Sequence, residues 1–132
     1  MTAQAKGTFT VAGWDENTYE ELDAGGKLTK AHVTFGFDGD LRAQGGWEAV
    51  MCYKPDGSAS FTGFQLMTGT LGGREGSFVL RADGSYENGE ARTTWQVVAD
   101  SATGQLRGLN GTGVAVSSGG SGGTFSFDYE LG

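Results

Sequence analysis

Turn-forming residues cut this chain into short segments in which apolar and polar side chains alternate, a pattern that leaves little room for anything but β-structure. Turn chemistry falls at Asp38-Gly39-Asp40, Pro55-Asp56-Gly57-Ser58, Gly72-Gly73-Arg74, Asp83-Gly84-Ser85, Ser101-Ala102-Thr103-Gly104 and from Ser117 to Gly123. A longer break runs from about Asp15 to Gly26. Seven breaks leave eight segments, approximately 5–14, 27–37, 41–54, 59–71, 76–82, 85–98, 105–116 and 124–131, and each reads as a strand. The 25 glycines, set against one proline, belong to this punctuation, because a low-complexity chain would lack the three tryptophans and eight phenylalanines that stand among them. The best helix candidate, Glu16 to Asp23, has no apolar stripe and supports one turn at most.

Short connections make successive strands antiparallel neighbours, hence a meander. An open meander of this length exposes two edges, and closure removes them. The expected fold is therefore all-β, a closed eight-stranded antiparallel barrel forming one domain over residues 1–132, with a two-sheet sandwich as the alternative.

Strand alternation assigns an inner face. Phe125, Phe127, Tyr129 and Leu131 oppose Ser126, Asp128 and Glu130, and Ala31, Val33, Phe35 and Phe37 oppose Lys30, His32 and Thr34. Phe9 and Val11 point inward, as do Leu41, Ala43, Gly45, Trp47, Ala49, Met51 and Tyr53. Phe61, Gln65, Met67 and Leu71 follow, then Phe78, Leu80, Ala91, Thr93, Trp95 and Val97. The interior is thus aromatic, with Tyr53, Gln65, Thr93, Tyr129 and two indole N–H groups as polar points. An eight-stranded barrel either fills itself or holds one small ligand, and the pattern leaves both open.

On the outer face, Val50, Cys52, Phe64, Leu66 and Val79 lie on adjacent strands and read either as one apolar patch, for which a symmetric homodimer is the default, or as scattered surface hydrophobes. His32 points outward. Glu48 follows the Gly45-Gly46 pair, and a bulge there would turn it inward, beside indole, as a candidate acid or base; without the bulge it is a solvated strand residue. The acidic stretch Asp15, Glu16, Glu20, Glu21 and Asp23 reads as a solvated loop or as a lid over a barrel mouth.

A net charge of −7 disfavours nucleic acid and anionic lipid as partners. One histidine and one cysteine cannot build a zinc site, and no phosphate-binding or dinucleotide motif precedes a helix, so neither metal nor cofactor is expected. Cys52 has no disulfide partner, Met1 to Lys6 lacks the apolar core of a signal peptide, and no apolar run is long enough to span a bilayer. A cytoplasmic protein with no membrane partner is expected.

Several stretches resemble a known family. Leu28-Thr-Lys-Ala31, Gly69-Thr-Leu-Gly-Gly-Arg-Glu-Gly-Ser-Phe-Val-Leu80, Thr103-Gly-Gln-Leu-Arg-Gly-Leu-Asn-Gly111, Phe127-Asp-Tyr-Glu-Leu131 and the Trp14-Asp15-Glu16 opening are similar to DUF3224, a group of small bacterial proteins of unknown function. That family resembles the allene oxide cyclase and dirigent barrels. The resemblance implies a closed meander with an apolar cavity, often oligomeric, in which shape steers ring closure or isomerisation of a largely apolar substrate. Glu48, Tyr53 and Gln65 are the candidates for any catalytic role. Phe35, Trp47, Met51, Met67, Thr93, Trp95 and Tyr129 would contact the ligand. Two departures weigh against acid–base chemistry: relatives carry Glu where this chain has Gln65, and a Gln-His pair where it has Arg81-Ala82. A non-catalytic carrier barrel and a self-filled dimeric structural protein are the alternatives.

Overall fold

The structure, a computed structural model, describes residues 3–118 and 121–131. Eight strands follow in chain order: Ala3–Glu21 (β1), Lys27–Gly39 (β2), Leu41–Tyr53 (β3), Ala59–Leu71 (β4), Arg74–Glu87 (β5), Glu90–Val97 (β6), Leu109–Ser118 (β7) and Gly122–Leu131 (β8). Each pairs antiparallel with the next, and β8 returns to β1, closing the barrel. The expected all-β closed meander is the observed fold. A single 3-10 turn, Gly104–Leu106, precedes β7. Met1 and the middle of the turn expected from Ser117 to Gly123 lie outside the described residues.

Three boundaries differ from expectation, each for a local reason. The break expected from Asp15 to Gly26 is mostly strand: β1 continues to Glu21, and the turn shrinks to residues 22–26. The turn expected at Asp83-Gly84-Ser85 lies inside β5, and the chain reverses at Asn88 and Gly89 instead. Both of those residues have positive φ (53° and 79°), the backbone of a two-residue hairpin loop that matches strand twist. Gly84 is a glycine for another reason: a Cβ there would press on the Phe61 ring at 2.8 Å and on the Arg92 carbonyl. The strand expected from residue 105 begins only at Leu109, because 98–108 form a longer connection that carries the 3-10 turn.

The interior has two unlike halves. At the end where β3 starts and β4 stops, Leu41, Leu71, Leu106 and Leu109 are buried. Next to them the rings of Phe78 and Phe127 stack at 6.1 Å, and Phe127 stacks on Tyr129 at 5.5 Å. This half is filled by its own side chains, as small barrels commonly are. A belt of aromatic contacts crosses the middle: Phe37 meets Trp95 at 5.6 Å and Phe125 at 5.7 Å. Beyond that belt the barrel is hollow.

Candidate functional site

The cavity occupies the other half and has a volume of about 260 Å³. Its wall is aromatic, built from Phe9, Phe35, Phe37, Trp47, Phe61 and Trp95, with Val11, Met51, Ala59, Ala91 and Ala115 between them. Polar groups are few: Gln65, Thr93 and Ser117, with Tyr53, Tyr86 and the indole of Trp14 also on the lining. No Asp, Glu, His, Lys or Arg belongs to the described lining.

The strand phase explains this composition. β3 pairs with β2 and β4 in unbroken register through Gly45 and Gly46, so Trp47, Met51 and Tyr53 all face in. The bulge considered at Gly45-Gly46 is absent. Gly45 instead makes room: a Cβ there would meet Phe37, Gln65 and Met67 at 2.9–3.1 Å, whereas one on Gly46 meets nothing within 4 Å. Gln65 is buried and donates its amide N–H to the Met67 sulfur at 3.1 Å.

A bulge does occur, but in β1. Up to Val11 the inward residues are odd-numbered, Phe9 opposite Phe37 and Val11 opposite Phe35. The register then skips Ala12, and Trp14 stands opposite Val33, Glu16 opposite Ala31 and Thr18 opposite Thr29. One extra residue thus moves the even-numbered side chains to the inner face. β1 pairs with β8 over Ala3–Thr10, and the Val11 N–H donates to the Ser121 carbonyl at 2.9 Å; beyond that, among the described residues, β1 pairs with β2 alone. The acidic residues of this stretch suit an edge that must not recruit another strand.

The same bulge brings Glu16 to the cavity mouth. Its carboxylate accepts from the Thr29 hydroxyl at 2.6 Å, the Tyr53 phenol at 2.6 Å and the Trp14 indole N–H at 2.9 Å. Burial favours the neutral acid, but those three donors and the Lys27 charge outweigh it and hold the Glu16 carboxyl below its ordinary range. Tyr53 responds oppositely: burial, the bond to Glu16 and the Glu16 charge push its phenol well above its usual pKa. At neutral pH Glu16 is ionised and Tyr53 is a neutral donor. The Lys27 ammonium lies 5.2 Å from the Tyr53 ring centroid.

Of the residues expected to contact a ligand, Phe35, Trp47, Met51, Thr93 and Trp95 line the cavity, as do Tyr53 and Gln65. Met67 does not; it is fully buried behind Gln65. Tyr129 does not either, being in the filled half, stacked on Phe127. Glu48 lies outside the barrel, 73% exposed, with an Oε1 2.5 Å from His32 Nδ1. With the phase unbroken at Gly45-Gly46, it has no access to the cavity. The lining residues that the sequence does not single out are Trp14, Ala59, Tyr86, Ala115 and Ser117; the bulge at Ala12 hides Trp14 and the inward turn of Glu16, which in sequence reads only as part of a loop or lid. No group of His, Cys, Asp and Glu among the described residues is arranged to hold a metal ion. No helix among them is long and apolar enough to cross a membrane.

The family model described as "Protein of unknown function (DUF3224)" matches residues 5–129. A solved structure of a protein with unknown function from the DUF3224 family, from Shewanella oneidensis MR-1, superposes with a TM-score of 0.85. It is 28% identical in sequence, and the match covers 100% of this chain and 99% of that one. No curated protein matches the chain.

Proposed function

This chain belongs to the DUF3224 family, whose function is not known, and from the half-hollow barrel we propose that it binds a small, largely apolar molecule in its open half. The observation that carries the proposal is the contrast between the two halves of one interior. The same fold packs one end solid with Leu41, Leu71, Phe78, Leu106 and Phe127 and leaves about 260 Å³ free at the other. That volume lies just below the range of known ligand pockets, roughly 300–1,000 Å³, and suits a small molecule; an apolar wall with a few placed polar groups is their usual composition. The cavity favours a ligand-binding or carrier barrel over a self-filled structural protein.

Steered isomerisation or cyclisation of the bound molecule is the finer reading, and it rests on the resemblance of the DUF3224 family to allene oxide cyclase and dirigent barrels. With Glu48 outside and no acid or base in the described wall, confinement in a productive shape is the means available to it. Gln65, Thr93 and the Tyr53 phenol are the orienting groups.

The test is titration of small neutral aromatic molecules, followed by tryptophan fluorescence, against the wild type and Ala91→Phe, which puts a ring on the cavity wall. Wild-type saturation with at least a tenfold loss in the variant, at an unchanged melting temperature, supports the reading. Equal affinities in the two proteins, or no saturation by any molecule of the series, overturns it.

A second copy of the chain is proposed on the outer face of β3 and β4, where Phe64 and Leu66 are 58% and 52% exposed beside exposed Val50. Charges of both signs stand around the patch: Lys30 on β2 and Arg81 on β5 flank it on opposite sides, and Glu48 lies on β3 between them. A two-fold related copy can match such a surface to itself. Sedimentation equilibrium of the wild type and Phe64→Glu decides: a dimer that the substitution splits supports it, and a monomeric wild type rejects it.

A further inference from the structure

The strand ladder places the open end of the cavity. Tyr53 stands opposite Ala59, Ala59 opposite Tyr86, Tyr86 opposite Ala91 and Ala91 opposite Ser117, so these lining residues form one rim. Tyr86 is 41% exposed and Trp14, also on the lining, 52%. Trp14 is joined to the same end through Glu16, whose carboxylate accepts from both the Trp14 indole and the Tyr53 phenol. The mouth is thus bordered by three aromatic rings and one carboxylate.

That border favours positive charge. Glu16 takes part in none of the ion pairs among the described residues. One of its oxygens accepts from both Thr29 and Tyr53, whereas the other accepts from Trp14 alone and keeps room for a further partner. The phenol and the indole that donate to this anion are polarised by it, which makes their ring faces more negative. The Lys27 ammonium, 5.2 Å from the Tyr53 ring centroid, is an example of a cation on such a face. Deeper in, Phe9, Phe35, Phe61 and Trp95 line the cavity, and no cation of the protein competes in the described lining. An anion would find the Glu16 charge and no partner. A neutral molecule would fill the space and leave the charge at the mouth unused. The net charge of −7 also raises the local concentration of cations.

We propose that the ligand is an organic cation: an apolar or aromatic body that fills the hollow half, joined to an alkylated ammonium that stays at the mouth, against the Tyr53 and Trp14 rings and beside the Glu16 carboxylate. Alkylation matters because it spreads the charge and weakens its hydration, so less water is given up on entry. The proposal rests on the binding reading above and names the ligand class for that same site.

Three probes with one phenyl body separate the possibilities: phenyltrimethylammonium, tert-butylbenzene, in which carbon replaces the charged nitrogen, and benzenesulfonate. Dissociation constants are measured by tryptophan fluorescence for the wild type and Glu16→Gln. The wild type is expected to bind the ammonium about tenfold more tightly than tert-butylbenzene, and the sulfonate most weakly of the three. In Glu16→Gln the ammonium loses about tenfold and tert-butylbenzene less than about twofold. In about 0.5 M sodium chloride the wild-type preference for the ammonium shrinks, while the affinity for tert-butylbenzene does not fall. The salt series needs no variant and decides the matter even if Glu16→Gln does not fold. A preference for the ammonium that neither salt nor Glu16→Gln reduces overturns the role of Glu16. Equal or tighter binding of tert-butylbenzene, or tighter binding of the sulfonate, overturns the cation and leaves the binding site standing. Saturation by none of the three overturns the binding reading along with this one.

Discussion

Tyr53, at the end of β3, donates its phenol to the Glu16 carboxylate on β1 across 2.6 Å, tying together two strands that are not neighbours in the barrel. The bond sets the shape of the cavity mouth, because Tyr53 lines the cavity and Glu16 also holds the Trp14 indole beside it. Removing the phenol in Tyr53→Phe leaves one carboxylate contact fewer at a half-buried site. The expected loss is about 1 kcal/mol in urea unfolding, below the range for fully buried charged pairs because water still reaches the group. A variant as stable as the wild type would contradict this.

The Glu16 carboxyl titrates lower in the folded protein than its ordinary value of 4.5. A lowered folded pKa contributes stability above the unfolded value, and that contribution disappears as pH falls through the folded one. The stability difference between wild type and Glu16→Gln is therefore expected to be constant from neutral pH down to the ordinary carboxylate range. Below that it shrinks. Denaturant midpoints for both proteins across the acid range check the sign; a difference that grows on acidification would refute it.

The number, order and pairing of the strands were legible because turns and alternation are local signals, and seven connections between eight segments imply a meander. Closure follows from the cost of two open edges and from the family resemblance, not from periodicity. The phase of β1 was not legible past Val11, since a single unpaired residue, Ala12, reverses it without any change in composition. That is why, in sequence, Glu16 reads as part of a loop or lid and Glu48 as the candidate inward carboxylate. Asn88-Gly89 was a readable hairpin signal, but Gly84 drew the turn to itself although its role is to admit the Phe61 ring. Whether the interior is filled depends on how side-chain volumes add up around the closed barrel, which alternation does not report. Met67 and Tyr129 were placed on the correct face and at the wrong depth for the same reason.

Gly45 and Gly46 are adjacent and face opposite sides of β3, so alanine at each should act with opposite sign. Gly45→Ala crowds Phe37, Gln65 and Met67 and is expected to cost about 1–3 kcal/mol. Gly46→Ala meets nothing within 4 Å and is expected to be neutral or stabilising by about 0.5 kcal/mol, through the entropy of the unfolded chain. Thermal melts of the two variants measure this directly. Equal losses would mean that the strand is bulged at the pair.

Glu48 and His32 form an exposed pair, and such pairs contribute little. Glu48→Gln is expected to change stability by less than about 0.5 kcal/mol. It should also leave the affinity for any cavity ligand unchanged, as read by the fluorescence titration. A loss of binding in this variant would place the carboxylate inside the barrel, against the unbroken register of β3.

The division of the interior into a packed half and a hollow half is tested most directly by a crystal structure of the protein under xenon pressure, since xenon occupies dry apolar cavities. Anomalous density is expected between Trp47, Phe61, Thr93 and Trp95, with none among Leu41, Leu71, Leu106 and Phe127. Side chains collapsed into the hollow half, with no xenon bound there, would contradict the account.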